Sequence, residues 1–134
     1  MKKRKITTIL VGIALCAAIP ASVFAWDYKF KATAYWNTKK TIHTCAKGGR
    51  AVKAGDIAVS NQKGDILLGS TVEISGAINP KTGKWETFTA YACDTGSAIT
   101  KGRIDIFYPQ GDPYEKIDKR WDNPYVKVKL IKGP

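Results

Sequence analysis

Alternation with a period of two governs this chain. Tyr28, Phe30, Ala32 and Ala34 occupy one side of a repeating pair of positions, and Lys29, Lys31, Thr33 and Tyr35 the other, which is the pattern of an extended strand with one face buried. Five further β-like runs follow: Ile57-Ala58-Val59, Val72-Glu73-Ile74, residues 86–93, residues 104–108 and residues 126–131. Turn residues separate them, at Gly48-Gly49, Gly64-Asp65, Gly69-Ser70, Asn79-Pro80 with Gly83, and Thr95-Gly96. Six strands in one small chain predict an all-β domain closed into a barrel, because closure removes the unpaired edges that an exported protein would otherwise expose. One helix is expected. Asp112 can cap it, Pro113 suits its first position and Glu115 completes a capping-box pattern, so a short helix over 113–120 should precede the last strand. Gly55-Asp56-Ile57 and Gly64-Asp65-Ile66 echo one another but are too short to be a repeat.

The N-terminus carries a different signal. Lys2, Lys3, Arg4 and Lys5 precede an apolar run over residues 6–19, and Pro20 leads to Val23-Phe24-Ala25, a small-x-small cleavage pattern. The run is too short to span a bilayer comfortably. Residues 1–25 are therefore expected to be a secretory signal, leaving 26–134 as a single domain in the cell envelope or medium, with no stable membrane insertion once the signal is removed. Cys16 does not suit a lipoprotein cysteine, since Leu15 stands where a small residue should precede it.

Discounting Lys2, Lys3, Arg4 and Lys5 from 22 Lys and Arg, against 11 Asp and Glu, leaves about +7 on the exported part. An anionic envelope polymer is a plausible partner. Nucleic acid is not expected, given export and basic residues scattered instead of interleaved with aromatics in a binding element. A monomer is expected. Cys45 and Cys93 survive cleavage as a pair suited to one disulfide, and Cys93 adjoins Asp94, so the bridge would brace that region. The alternative, Cys45 as a nucleophile with His43 as its base, lacks a recognisable orienting third group. Two Cys and one His show no paired zinc spacing, and there is no nucleotide loop, so neither metal nor cofactor is expected.

The chemistry-bearing residues are two aspartates. Asp94 lies in Cys93-Asp94-Thr95-Gly96, and Asp105 lies between Ile104 and Ile106 in a β-branched and aromatic run. An acid in that setting either faces solvent on an alternating strand or is desolvated, which raises its pKa and keeps a proton available near neutral pH. Asp94 can equally be a turn former ahead of Thr-Gly.

Ala32-Thr33-Ala34-Tyr35, Gly55-Asp56-Ile57-Ala58-Val59-Ser60, Leu68-Gly69-Ser70-Thr71-Val72, Cys93-Asp94-Thr95-Gly96 and Arg103-Ile104-Asp105-Ile106-Phe107 together resemble the bacterial 3D domain, named for three aspartates. The likeness runs from about Phe30 to Ile131. It implies a double-psi β-barrel related to the catalytic domain of MltA-type lytic transglycosylases and to stationary-phase muralytic factors, with its site in a groove across the barrel. One position departs: Ser60 stands where the family ordinarily has its first aspartate, and a hydroxyl supplies a hydrogen bond without a charge. Asp56, evenly spaced from Ser60, is a same-face substitute if the strand is regular.

The resemblance implies cleavage of peptidoglycan glycan strands by one carboxyl acting first as acid and then as base, where a hydrolase would ordinarily need two. Asp105 takes that role and Asp94 supports it. Thr33, Tyr35, Ser60 and Gly96 are expected contacts to substrate, for Thr33 and Tyr35 against the alternative of plain strand packing. The segment 79–85 looks like an extended hairpin that widens or covers the groove. Two other classes share features with this chain. Asp94-Thr95-Gly96-Ser97 resembles an aspartic-protease tetrad, but only one copy is present and little sequence follows it. A noncatalytic wall-binding or expansin-like module would use exposed aromatics, with Trp36, Trp85, Trp121 and Tyr108 as candidates.

Overall fold

The computed structural model describes residues 27–109 and 125–134. Six strands are present: β1 Asp27–Tyr35, β2 Asp56–Val59, β3 Thr71–Ser75, β4 Phe88–Thr95, β5 Arg103–Phe107 and β6 Tyr125–Lys132. They close into a barrel in the order β1-β5-β2-β4-β3-β6. The pairs β1/β5 and β2/β4 are parallel and the other four antiparallel, so this is the all-β, six-stranded closed barrel expected of a double-psi fold. No helix occurs among the described residues, and none there is long and apolar enough to cross a membrane. The helix expected at 113–120, the signal segment 1–25 and Trp121 lie outside the described residues.

The alternation explains the interior. Phe30, Ala32 and Ala34 of β1 meet Ile104 and Ile106 of β5, Ile57 and Val59 of β2, Ala90 and Ala92 of β4, Val72 and Ile74 of β3 and Val126 and Val128 of β6 in one buried cluster. Each larger aliphatic side chain contributes about 1.5–3 kcal/mol by leaving water.

A second cluster forms on the outside of the wall. Cys45 and Val52, from residues 36–53 of the connection between β1 and β2, pack on Cys93 and Phe107, with Tyr35 and Tyr91 at the edge. Phe107 is outward by parity yet only 1% exposed, because this segment lies over it. The segment has little regular structure beyond a bridge between Thr44 and Ala51. The Cys45–Cys93 disulfide, with Cα atoms 5.0 Å apart, fastens it to β4. The hairpin expected around 79–85 is present, bridged at Ile78 and Trp85. It is tied to the barrel by the Tyr108 hydroxyl, which donates to the Ile78 carbonyl at 2.7 Å. Tyr108 is buried by that contact, so it offers no stacking surface; Trp85 does remain exposed.

Candidate functional site

Register, more than sequence proximity, assembles the site. Thr33 on β1 pairs with Asp105 on β5, Asp105 pairs with Ala58 on β2, and Ala58 pairs with Asp94 on β4. The four residues form one row across four neighbouring strands on the outer face. At about 4.8 Å per strand the two aspartates stand roughly 10 Å apart at their Cα atoms. Ala58, only 4% exposed, lies between them in the row.

A bulge in β4 makes this row possible. Ile57 pairs with Ala92 but Ala58 pairs with Asp94, so Cys93 is the extra residue. Ala92 belongs to the interior cluster and Cys93 to the outer one. Cys93 and Asp94 thus follow one another on the same side of the wall, which strict alternation forbids.

Asp105 is half-buried. Thr33 Oγ1 donates to its Oδ1 at 3.0 Å, and Arg103 Nη2 donates to Thr33 Oγ1 at 3.3 Å, so the hydroxyl passes a cation's polarisation to the acid. Burial raises the carboxyl pKa of Asp105 above the ordinary range. The Thr33 hydrogen bond and the charges of Arg103 and His43 oppose that shift, while Asp94 adds to it. The acid is therefore biased toward its protonated form yet has a hydrogen bond ready for the carboxylate. Asp94 accepts the N–H of Thr95 at 2.9 Å through Oδ1.

Tyr35 stands one step along β1 from Thr33 on the same face, with its ring edge-on to Phe107 at 5.2 Å and to His43 at 4.9 Å. Its hydroxyl is buried with no hydrogen-bond partner among the described residues. Burial first, then the negative charges of Asp94, Asp105 and Asp56, push its pKa far above the ordinary phenol range, so it stays a donor. Trp36, Thr38, Thr41 and His43 line a depression of about 300 Å³ beside it.

The remaining sequence-derived positions separate. Ser60 Oγ donates to Asp65 Oδ2 at 2.6 Å, and the same oxygen accepts the N–H of Gly102 at 3.0 Å, so Ser60 and Asp65 fasten the loop after β2 to the turn before β5. Asp56 does not replace the missing carboxylate. It is 2% exposed and fully engaged, with Arg50 Nη1 and Nη2 at 2.7 and 2.9 Å and the Lys53 N–H at 2.8 Å. Gly96 is exposed and opens the turn that returns the Ile99 N–H to its carbonyl at 2.9 Å. The disulfide removes Cys45 as a nucleophile. Among the described residues Cys45, Cys93 and Asp56 place possible metal-binding atoms within 4.8 Å of one another, but the sulfurs are bonded together and Asp56 is held by Arg50, so the donor set does not fit a metal.

Sequence reasoning missed Arg103, Ala58 and Arg50. Arg103 was legible in principle, since it shares the parity of Asp105; the other two depend on pairings between distant strands and loops.

Residues 57–131 match the 3D domain. None of the curated proteins compared with the chain matches it. Among solved structures the chain is similar to MltA from E. coli, at 21% identity and a TM-score of 0.49 over 72% of this chain and 29% of that one. It is also similar to E. coli MltA with bound chitohexaose, at 21% identity and a TM-score of 0.48 over 70% and 29%. MltA from Neisseria gonorrhoeae gives 24% identity and a TM-score of 0.42 over 64% and 22%. The chain spans less than a third of the length of each.

Proposed function

We propose that this chain, which belongs to the 3D domain family, is exported by removal of residues 1–25 and cleaves peptidoglycan glycan strands as a lytic transglycosylase. The observation that carries the reading is the row Thr33, Asp105, Ala58, Asp94, in which one half-buried acid has a raised pKa and a second lies beyond Ala58. A sugar seated over Ala58 would present its glycosidic oxygen to Asp105. The protonated carboxyl gives its proton to that oxygen as the bond to the anomeric carbon breaks, and Asp94 faces the positive charge that develops on the sugar. Asp105, now a carboxylate held by Thr33, accepts the proton of the muramoyl 6-hydroxyl while that oxygen bonds to the anomeric carbon. The product is a 1,6-anhydro sugar, and no water is consumed. The depression lined by Tyr35 and Trp36 would hold a neighbouring sugar by stacking.

Release of anhydro-muropeptides from purified peptidoglycan by the mature protein tests this. Asp105→Asn should reduce release at least a hundredfold while leaving sedimentation with walls unchanged. Binding without products from the unaltered protein over a range of pH would instead make the chain a wall-binding module. That alternative draws its support from Ser60, which stands where the resemblance implies a third carboxylate.

A further inference from the structure

A depression of about 300 Å³ lies over β4. Arg50, Lys53 and Lys81 border it, Tyr91 and Thr89 contribute its β4 side, and Asp56 is its one acidic neighbour. That acid is already satisfied, with the Arg50 guanidinium gripping it at both oxygens and the Lys53 N–H adding a third bond. Among the described residues Arg50–Asp56 is the only ion pair; Lys53 and Lys81 both line the depression, and the Lys81 ammonium lies beside Gly55. Among the described residues that line it, three cations stand against one acid.

The arrangement is built from two separate insertions. Arg50 and Lys53 come from the segment fastened by the disulfide, and Arg50 also sits 5.8 Å from the centre of the Tyr91 ring. Lys81 comes from the hairpin at 76–87. Its N–H is fixed by Asn79 Oδ1 at 3.0 Å, and Asn79 in turn donates to Glu86 at 2.8 Å. The Lys81 side chain crosses Gly55 so closely that a Cβ there would lie 3.0 Å from its Cε, and Gly55 has a φ of +97°. Glycine both permits that backbone and leaves room for the lysine.

Tyr91 and Asp94 pair with Asp56 and Ala58, two positions apart on β2, so with the bulge between them they stand about 7 Å apart along the strand direction. A polymer cleaved at the acid row would therefore carry its substituents to this depression. We propose that the depression binds the free carboxylate of the peptide borne by the glycan, with Lys53 and Lys81 as its cationic contacts and the Tyr91 ring against the peptide chain. The proposal rests on the glycan-cleaving reading only for its choice of polymer. Because the Arg50 fork is spent on Asp56, the cations left are ammonium point charges, which suit a single carboxylate and do not supply the bidentate geometry favoured for phosphate.

The test measures binding apart from cleavage. A soluble disaccharide-tetrapeptide with free carboxylates is titrated into the mature protein and followed by amide and side-chain NMR. Shifts are expected at Lys53, Lys81 and Tyr91, and the double variant Lys53→Gln/Lys81→Gln should bind it at least about tenfold more weakly. Binding of a peptide-free chitooligosaccharide should be the same in both proteins. Equal binding of the tetrapeptide ligand by the double variant would overturn the proposal, as would equal binding of a ligand with amidated carboxyls. Preferential occupancy by oligomeric glycerol phosphate would also overturn it, in favour of a phosphate polymer. Shifts at Lys53 and Lys81 in a protein that releases no anhydro-muropeptide would sink only the catalytic reading; cleavage without those shifts would sink only this one.

Discussion

Replacing Cys45 and Cys93 by serine opens a loop with a sequence separation of 48 residues. Closing a loop of that length removes unfolded-chain entropy worth about 4 kcal/mol at room temperature by the chain-entropy relation. For a domain of about a hundred residues each kcal/mol moves the melting temperature by about 4–8 °C, so the double serine variant should melt roughly 15–30 °C lower. Circular dichroism melts of the oxidised protein and the variant measure this. Hydrogen exchange locates the effect, since the Cys45 N–H bonded to the Arg50 carbonyl at 2.8 Å, the Lys47 N–H bonded to the Cys93 carbonyl at 3.0 Å and the Val52 N–H bonded to the His43 carbonyl at 3.2 Å all belong to the fastened segment. Those amides should lose protection before the core strands do. A fall of less than about 5 °C, with the three amides still protected, would refute the view that the crosslink is what holds this segment on the barrel wall.

Thr33→Val keeps the side chain's shape but removes the hydrogen bond that lowers the Asp105 pKa, so that pKa should rise further. The protonated acid then persists to higher pH, and the alkaline limb of the cleavage rate profile should move upward in pH; a downward move would contradict the role given to Thr33. Asp105 also carries a stability signature. Its folded pKa is raised, so stability is lost as pH climbs from the ordinary carboxyl range through the raised folded value, and the loss persists above it. Asp105→Asn should therefore melt higher than the unaltered protein at pH 7 and equal to it in strong acid, and a lower melting point at pH 7 would show that the charged carboxylate is favoured by the fold.

The strands were legible because apolar residues at every second position, broken by glycine and turn residues, admit little else. The barrel followed from counting them. Asp105 was legible as an acid in an apolar run, but Thr33 as its hydrogen-bond partner depends on a parallel pairing between β1 and β5, whose register no local pattern records. Phe107 and Asp56 show the same limit from the other direction. Parity places both outward, yet the 36–53 segment, with no periodicity to announce where it docks, buries them. Asp56 looked available as a replacement for the absent carboxylate because its partner, Arg50, sits six residues earlier in that segment. Tyr108 was a reasonable stacking candidate until the hairpin carbonyl of Ile78 claimed its hydroxyl.

The extra residue in β4 works as a phase marker. Ahead of Cys93 the strand keeps time with the interior, and after it the count restarts, so a crosslinking sulfur and a carboxylate emerge side by side on one surface. Removing a single residue at that point would do more than shorten the strand: it would restore uninterrupted alternation and exchange inside for outside on one side of the cut. Spacing in this stretch is therefore under tighter constraint than side-chain identity. A substitution at Cys93 costs a bond, whereas a deletion would cost either the hydrophobic filling or the outward acid.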